Sequence, residues 1–203
     1  MPEKKRIGIL LSGRGTNFEA IADSVAAGRI PGAEIAIVIS NRSEALGIES
    51  AQRRGLETRV IPSKGKERQA HDAEVVAALK EKRVDLVCLA GYMRLLSPWF
   101  VQQFSQRILN IHPALLPAFP GLEAQKQAFD HGVKVSGCTV HLVDEQLDHG
   151  AIVVQRTVPV LDTDDEHTLA ARILEQEHIA YAEAINLVLG GKFEVTGRRV
   201  VKK

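Results

Sequence analysis

Asn110 and His112 stand two residues apart at the end of an apolar run, Ile108-Leu-Asn-Ile-His112. On a strand, that spacing puts both side chains on one face. An Asn amide can donate a hydrogen bond to a developing oxyanion, and a neighbouring His can donate or shuttle a proton. A carboxylate partner would hold the imidazole and raise its pKa. The polar loop downstream offers Asp144, Glu145 and Asp148. Spacing alone does not choose among them. Pro113 follows directly and stiffens the exit from the strand. Without further context, an Asn-x-His pair also reads as a satisfied polar pair at a strand end.

Ser12-Gly13-Arg14-Gly15-Thr16-Asn17 lies between a predicted strand and a predicted helix. Glycines let backbone N–H groups approach an anion, and the helix N-terminus adds about half a positive charge. A plain strand-to-helix turn has the same look. The loop is not the dinucleotide fingerprint. Phe18 stands at the third glycine position, and the second strand ends Ile39-Ser40-Asn41 with no acid for a ribose diol. No Gly-Lys-Ser/Thr follows, so it is not a P-loop either. A small phosphate ester suits it better than NAD or ATP. A third strand end carries Gly91-Tyr-Met-Arg-Leu-Leu96.

The other histidines are less informative. His141 alternates within a strand and reads as a core or supporting group. His71, His131, His149, His167 and His178 share no metal-ligand spacing, so no metal site is expected. Cys88 and Cys138 each sit inside an apolar run, as small core residues in a reducing cytoplasm would.

Alternating elements must position these groups. Strands are predicted at Arg6–Leu11, Glu34–Ile39, Thr58–Ile61, Val84–Ala90 and Arg107–Ile111. Between them, Phe18, Ile21, Ala22 and Val25 follow the helical i, i+3, i+4, i+7 spacing. Further helices are predicted over Ser43–Arg54 and Lys66–Lys82, and from about Pro98. A helix over Leu122–His131 stops at Gly132. Cys138–Val143 and Ile152–Val160 are strands with no helix between them, so one of the pair is antiparallel. Thr163-Asp-Asp-Glu166 has capping-box spacing and opens a long helix. Phe193–Val201 reads as a hairpin turning at Thr196-Gly197. Strand–helix alternation implies a mainly parallel sheet covered on both faces, with ligands beyond the carboxyl ends of its strands.

Composition narrows the partners. The 203 residues carry a net charge of +1, with 45% apolar and 25% charged residues, ordinary for one globular domain. That balance argues against a chain-wide nucleic-acid footprint. No run approaches the roughly 18 apolar residues of a membrane span. The apolar run after the basic first residues is too short for a signal-peptide core.

Several segments together resemble the phosphoribosylglycinamide formyltransferases. They are Ser12–Asn17, Leu89–Pro98, Leu109-Asn-Ile-His-Pro-Ala-Leu-Leu-Pro117, Pro120-Gly-Leu122, Asp144–Gly150, and Glu177-His178 with Tyr181. The stretch Glu123-Ala-Gln-Lys126 departs from the family's pattern. The resemblance implies one Rossmann-like α/β domain over residues 1–203, with a mostly parallel seven-stranded sheet and a short hairpin tail at 192–203. It implies formyl transfer from the co-substrate 10-formyltetrahydrofolate to the amine of glycinamide ribonucleotide, in purine biosynthesis, with no metal and no NAD. By position, Gly15, Thr16 and Asn17 would bind the substrate phosphate and Glu177 its ribose. Arg68, Met93, Arg94, Leu95, Leu96 and Asn110 would line the folate site. Asn110, His112 and Asp148 would form the catalytic trio, with Thr139 and His141 supporting it. The Leu116–Pro117 bond is expected to be cis.

The resemblance also sets the alternatives. Methionyl-tRNA formyltransferase shares donor and trio but usually has a C-terminal tRNA-binding domain, whereas only Phe193–Lys203 follow the long helix here. Formyltetrahydrofolate hydrolase has an N-terminal regulatory domain, whereas this chain begins at its first strand. A non-catalytic ligand-binding module of the same fold would need no trio. The expected partners are small molecules in the cytoplasm, with no nucleic acid or membrane, for a monomer or homodimer.

Overall fold

The computed structural model describes residues 3–203. The first two residues of the expected domain lie outside that range. The described residues pack as two compact units, 3–109 and 110–203.

In the first unit, β1 (Lys5–Leu11), β2 (Ala33–Ser40), β3 (Thr58–Val60) and β4 (Leu86–Leu89) alternate with helices. The helices are α1 (Thr16–Ala26), α2 (Leu46–Arg53), α3 (Arg68–Glu81) and α4 (Pro98–Gln103). β1 pairs in parallel with both β2 and β4, and β2 with β3. Ile7, Ile9, Leu10, Leu11, Ile37, Val38 and Ile39 are buried, the continuous apolar pattern of strands covered on both faces. α2 begins three residues later than predicted, because exposed Ser43 and Glu44 pair with each other instead of entering the helix.

β5 (Ile108–His112) crosses from the first unit into the second. The second unit continues with α5 (Ala124–Asp130), β6 (Val135–Leu142), β7 (Ile152–Pro159), α6 (Glu166–Gly190), β8 (Phe193–Thr196) and β9 (Arg199–Lys202). β6 and β7 are antiparallel, as their short connection requires. α6 packs on both, burying Leu169, Ile173, Ala180, Tyr181 and Ile185. Its cap lies two residues beyond the predicted one. Asp165, not Thr163, accepts from the Thr168 N–H, while Arg172 grips Asp164 at 2.7 Å through each of two nitrogens.

The sheet has nine strands rather than seven, in the order β3-β2-β1-β4-β5-β6-β7-β9-β8. The difference is the C-terminal hairpin. It turns at Gly197 as predicted, but β9 also pairs with β7. β7 would otherwise present an open edge of unpaired backbone groups.

Candidate active site

β5 delivers Asn110 and His112 to its carboxyl end. His112 is 4% exposed, and its Nε2 lies 2.7 Å from the Phe119 carbonyl. A carbonyl only accepts, so this nitrogen carries the proton. The other ring nitrogen, Nδ1, lies 3.4 Å from Asp148 Oδ2. That same oxygen accepts the Gly121 N–H at 2.8 Å, while Asp148 Oδ1 faces Asn110 Nδ2 at 3.5 Å. Asp148 therefore touches both strand-end residues. It does so from a loop that bends through a positive φ of 49° at Asp148 itself. The two rival acids lie elsewhere: Asp144 pairs with His149 at 2.7 Å, and Glu145 is exposed.

His141 belongs to this cluster more closely than its place in a strand suggests. Its Nδ1 meets the Leu142 carbonyl at 3.0 Å and carries the proton. Its Nε2 faces Asn110 Nδ2 at 3.2 Å and Asp148 Oδ1 at 3.7 Å. The Asn110 amide thus stands between ring and carboxylate, offering one N–H to each. Thr139 holds the chain that leaves His112. Its hydroxyl donates to the Ala114 carbonyl at 2.7 Å and accepts from the Leu116 N–H and Gln155 Nε2 at 3.0 Å each. The Leu116–Pro117 bond beyond it is cis.

The electrostatics correct one expectation. Burial holds the His112 pKa below its ordinary value, although the Phe119 carbonyl and Asp148 both push it up. Asp148 acts in the expected direction, but desolvation of the cation outweighs it. Burial also pushes the Asp148 carboxyl up. Its neighbours His141, Gly121 and His112 more than offset this, so the group stays below the usual carboxylate range. Glu177 is buried on α6. Burial, and after it the Glu177 charge, pushes the nearby Cys138 thiol up to about 12, leaving it unreactive.

In the first unit, the Ser12–Asn17 loop is built from backbone. Gly15 is the N-cap of α1 with φ 83°, and no side chain caps that helix. A Cβ on Gly15 would lie 2.8 Å from Gly47 Cα, on backbone that cannot swing away. The site therefore needs glycine for both conformation and space. First-turn N–H groups of a helix are what an anion can meet. The side chains around the loop serve as scaffold. Ser12 Oγ donates to Asn41 Oδ1 at 2.5 Å and accepts the Met93 N–H at 2.8 Å. Asn41 Nδ2 in turn donates to Ser63 Oγ at 3.1 Å. Met93 and Leu95 are 57% and 51% exposed, Arg94 and Leu96 are half-buried, and Arg68 is exposed at the start of α3. Among the described residues, no group of three or more His, Cys, Asp or Glu could hold a metal ion. No helix among them is long and apolar enough to cross a membrane.

The Phe119 carbonyl and Gly121 N–H join the cluster unannounced by residue types, because they are backbone groups. Phe119 and Gly121 both take positive φ. The only sequence signal for that bend is Pro120-Gly121.

The strand-end Asn110-x-His112 pair and the loop carboxylate Asp148 lie on a Rossmann-like α/β domain. The formyl transferase family model matches residues 5–185, and the chain belongs to that family. It is 39% identical over 190 residues to the phosphoribosylglycinamide formyltransferase of Escherichia coli (strain K12), covering 93% of this chain and 89% of that one. That relative places the chain on the phosphoribosylglycinamide formyltransferase branch of the family. A solved glycinamide ribonucleotide transformylase 1 from Symbiobacterium toebii superposes with a TM-score of 0.95 and 50% identity, covering 100% of this chain and 95% of that one. The trifunctional purine biosynthetic protein adenosine-3 of Drosophila pseudoobscura pseudoobscura is 47% identical over 190 residues, but this chain spans only 14% of its length.

Proposed function

We propose that the chain, as a single formyltransferase domain, transfers the formyl group of 10-formyltetrahydrofolate to the amine of glycinamide ribonucleotide, a step of purine biosynthesis. The observation that carries this reading is the contact of one buried carboxylate, Asp148, with both Asn110 and His112, at 3.5 and 3.4 Å. The glycine-capped N-terminus of α1 supports a phosphate subsite at Gly15, Thr16 and Asn17. The reading assigns Glu177 to the ribose. It assigns Arg68, Met93, Arg94, Leu95, Leu96 and Asn110 to the folate.

The substrate amine attacks the formyl carbon, and a tetrahedral intermediate forms with negative charge on oxygen. Asn110 turns one N–H from its long contact with Asp148 to that oxygen. His112 turns its Nε2–H from the Phe119 carbonyl to the reacting centre. The amine must lose a proton and the departing folate nitrogen must gain one, so the exchange balances with no external acid or base. Asp148 favours the His112 cation, which gives its Nε2 proton to the departing folate nitrogen and takes one back at Nε2 from the attacking amine. Thr139 and His141 keep the strand end and amide in place. Buried thiols at Cys88 and Cys138 suit a cytoplasmic enzyme, whether monomer or homodimer.

Folate product formation, measured with and without glycinamide ribonucleotide, tests the reading. Turnover that requires the ribonucleotide is expected. Turnover without any amine indicates a hydrolase, turnover only with charged initiator tRNA indicates the tRNA enzyme, and binding without turnover indicates a non-catalytic module.

A further inference from the structure

The segment Tyr92–Ser97 has no regular secondary structure, yet it carries the exposed apolar side chains Met93 and Leu95. An irregular segment gets no ladder to hold it, so its N–H groups need acceptors from elsewhere. Two buried side chains supply them. Ser12, 3% exposed, accepts the Met93 N–H at 2.8 Å. Asp72 on α3, 1% exposed, accepts the Ser97 N–H at 2.7 Å through Oδ2. The segment is thus pinned at both ends while its middle faces outward. Ser97 also caps α4 by accepting the Phe100 N–H at 3.2 Å, so the second pin fixes where that helix starts.

Asp72 is costly to keep. A buried carboxylate without a partner is strongly disfavoured. Asp72 Oδ1 has no hydrogen-bond partner, and neither has His71 Nδ1, which faces it at 3.8 Å. His71 is itself fully buried, and its Nε2 donates to the Ile61 carbonyl at 2.9 Å. The two atoms pack against each other without a direct hydrogen bond. The dyad then ties α3 to the residue after β3 through Ile61 and to the segment after β4 through Ser97. Asp72 also lies one turn along α3 from Arg68. The nearby Tyr92 hydroxyl is buried without a partner, and burial together with the Asp72 charge raises its pKa.

We propose that Asp72, backed by His71, is a positioning residue for the formyl-donor site. It sets Met93–Leu96 and Arg68 in place without touching either substrate. The proposal rests on the assignment of Met93–Leu96 and Arg68 to the folate. A buried acid kept only for stability would be replaceable by an apolar side chain. One kept for positioning affects one substrate and not the other.

The test compares Asp72→Ala and Asp72→Asn in the whole chain. D72A loses the Ser97 acceptor. D72N keeps an oxygen for Ser97 and offers an N–H to His71 Nδ1. For D72A the KM for 10-formyltetrahydrofolate is expected to rise roughly tenfold or more, the effect of a lost hydrogen bond to a charged group. The ribonucleotide KM should stay within about twofold. D72N should recover most of the difference. Amide exchange at Ser97 should accelerate in D72A and not in D72N. If D72A does not fold, Ser97→Pro removes the same N–H at a φ of −72° that proline adopts, and Ser97→Ala controls for loss of the cap. A folded D72A with unchanged folate KM, or with both KM values raised alike, overturns the proposal. A wild-type protein inactive with both substrates would instead defeat the functional reading, and the Ser97 exchange rates would still decide whether Asp72 is the pin.

Discussion

The two regions to which the proposed function assigns chemistry are built by opposite means. The Ser12–Asn17 loop presents backbone. Its glycine supplies shape, its helix end supplies partial charge, and its side chains Ser12 and Asn41 point into scaffold. The Asn110–His112–Asp148 cluster presents side chains, and there backbone groups of Phe119, Gly121 and Leu142 serve as scaffold. Backbone dipoles suit a ligand charge that does not change. Side chains suit a charge or proton that must appear and move. The two regions should therefore fail differently when mutated, one in substrate affinity and the other in rate.

The largest effect is expected at His112. His112→Ala should lower kcat by about 10²- to 10⁴-fold, and Asp148→Asn should also lower it severely, with the ribonucleotide KM little changed. Near-normal turnover in both variants would remove the cluster from the chemistry. Asn110→Ala comes next, with a loss of about 10²- to 10³-fold in kcat if its amide meets the oxyanion. Steady-state kinetics with both substrates varied checks these changes.

Gly15→Ala should show the other signature. A side chain at φ 83° costs about 1–2 kcal/mol, and the added Cβ would press on Gly47. A lower Tm and a raised ribonucleotide KM are expected, with kcat less affected. A lowered kcat at unchanged KM would break the contrast between the regions.

The smallest effect is one of pH. Asp148→Asn removes an upward push on His112, so the His112 pKa should fall further below 6.5, as an NMR titration of the ring would show. Stability follows the same groups. The depressed Asp148 pKa stabilises the fold above about 3.8, and that contribution is lost as pH falls through the lower folded value. A depressed His112 acts with the same sign, since below 6.5 the unfolded chain gains a proton that the folded one resists. Denaturation as pH falls from 6.5 towards 3.8 should therefore widen the stability gap between wild type and D148N, through the further depressed His112 of the variant. Below about 3.8 the gap should narrow as Asp148 protonates.

Much of the framework was legible in the residues. Apolar runs separated by helical spacing specify the parallel strands, because a strand covered on both faces must be apolar throughout. The missing helix between β6 and β7 made an antiparallel pair unavoidable. Gly28, Gly55 and Gly132 marked helix ends through their freedom at positive φ. The hairpin at Thr196-Gly197 was visible too, but its membership in the sheet was not. That depends on which edge lies beside it, and β7 is far from β9 in sequence.

The sequence by itself determined which groups could do chemistry and where strand ends would present them. A strand's period of two aligns Asn110 with His112 whatever surrounds them. Only the tertiary structure decided which proton each group holds. Spacing left Asp144, Glu145 and Asp148 equal, and contact distance separated them. The carboxylate's upward pull on His112 was predictable, yet burial reverses the net shift, and burial belongs to every element packed around the ring. Asp72 shows the same limit. In sequence it is one acid among many on a helix. Folding places it under Ser97, because a buried charge takes its meaning from neighbours that are distant along the chain.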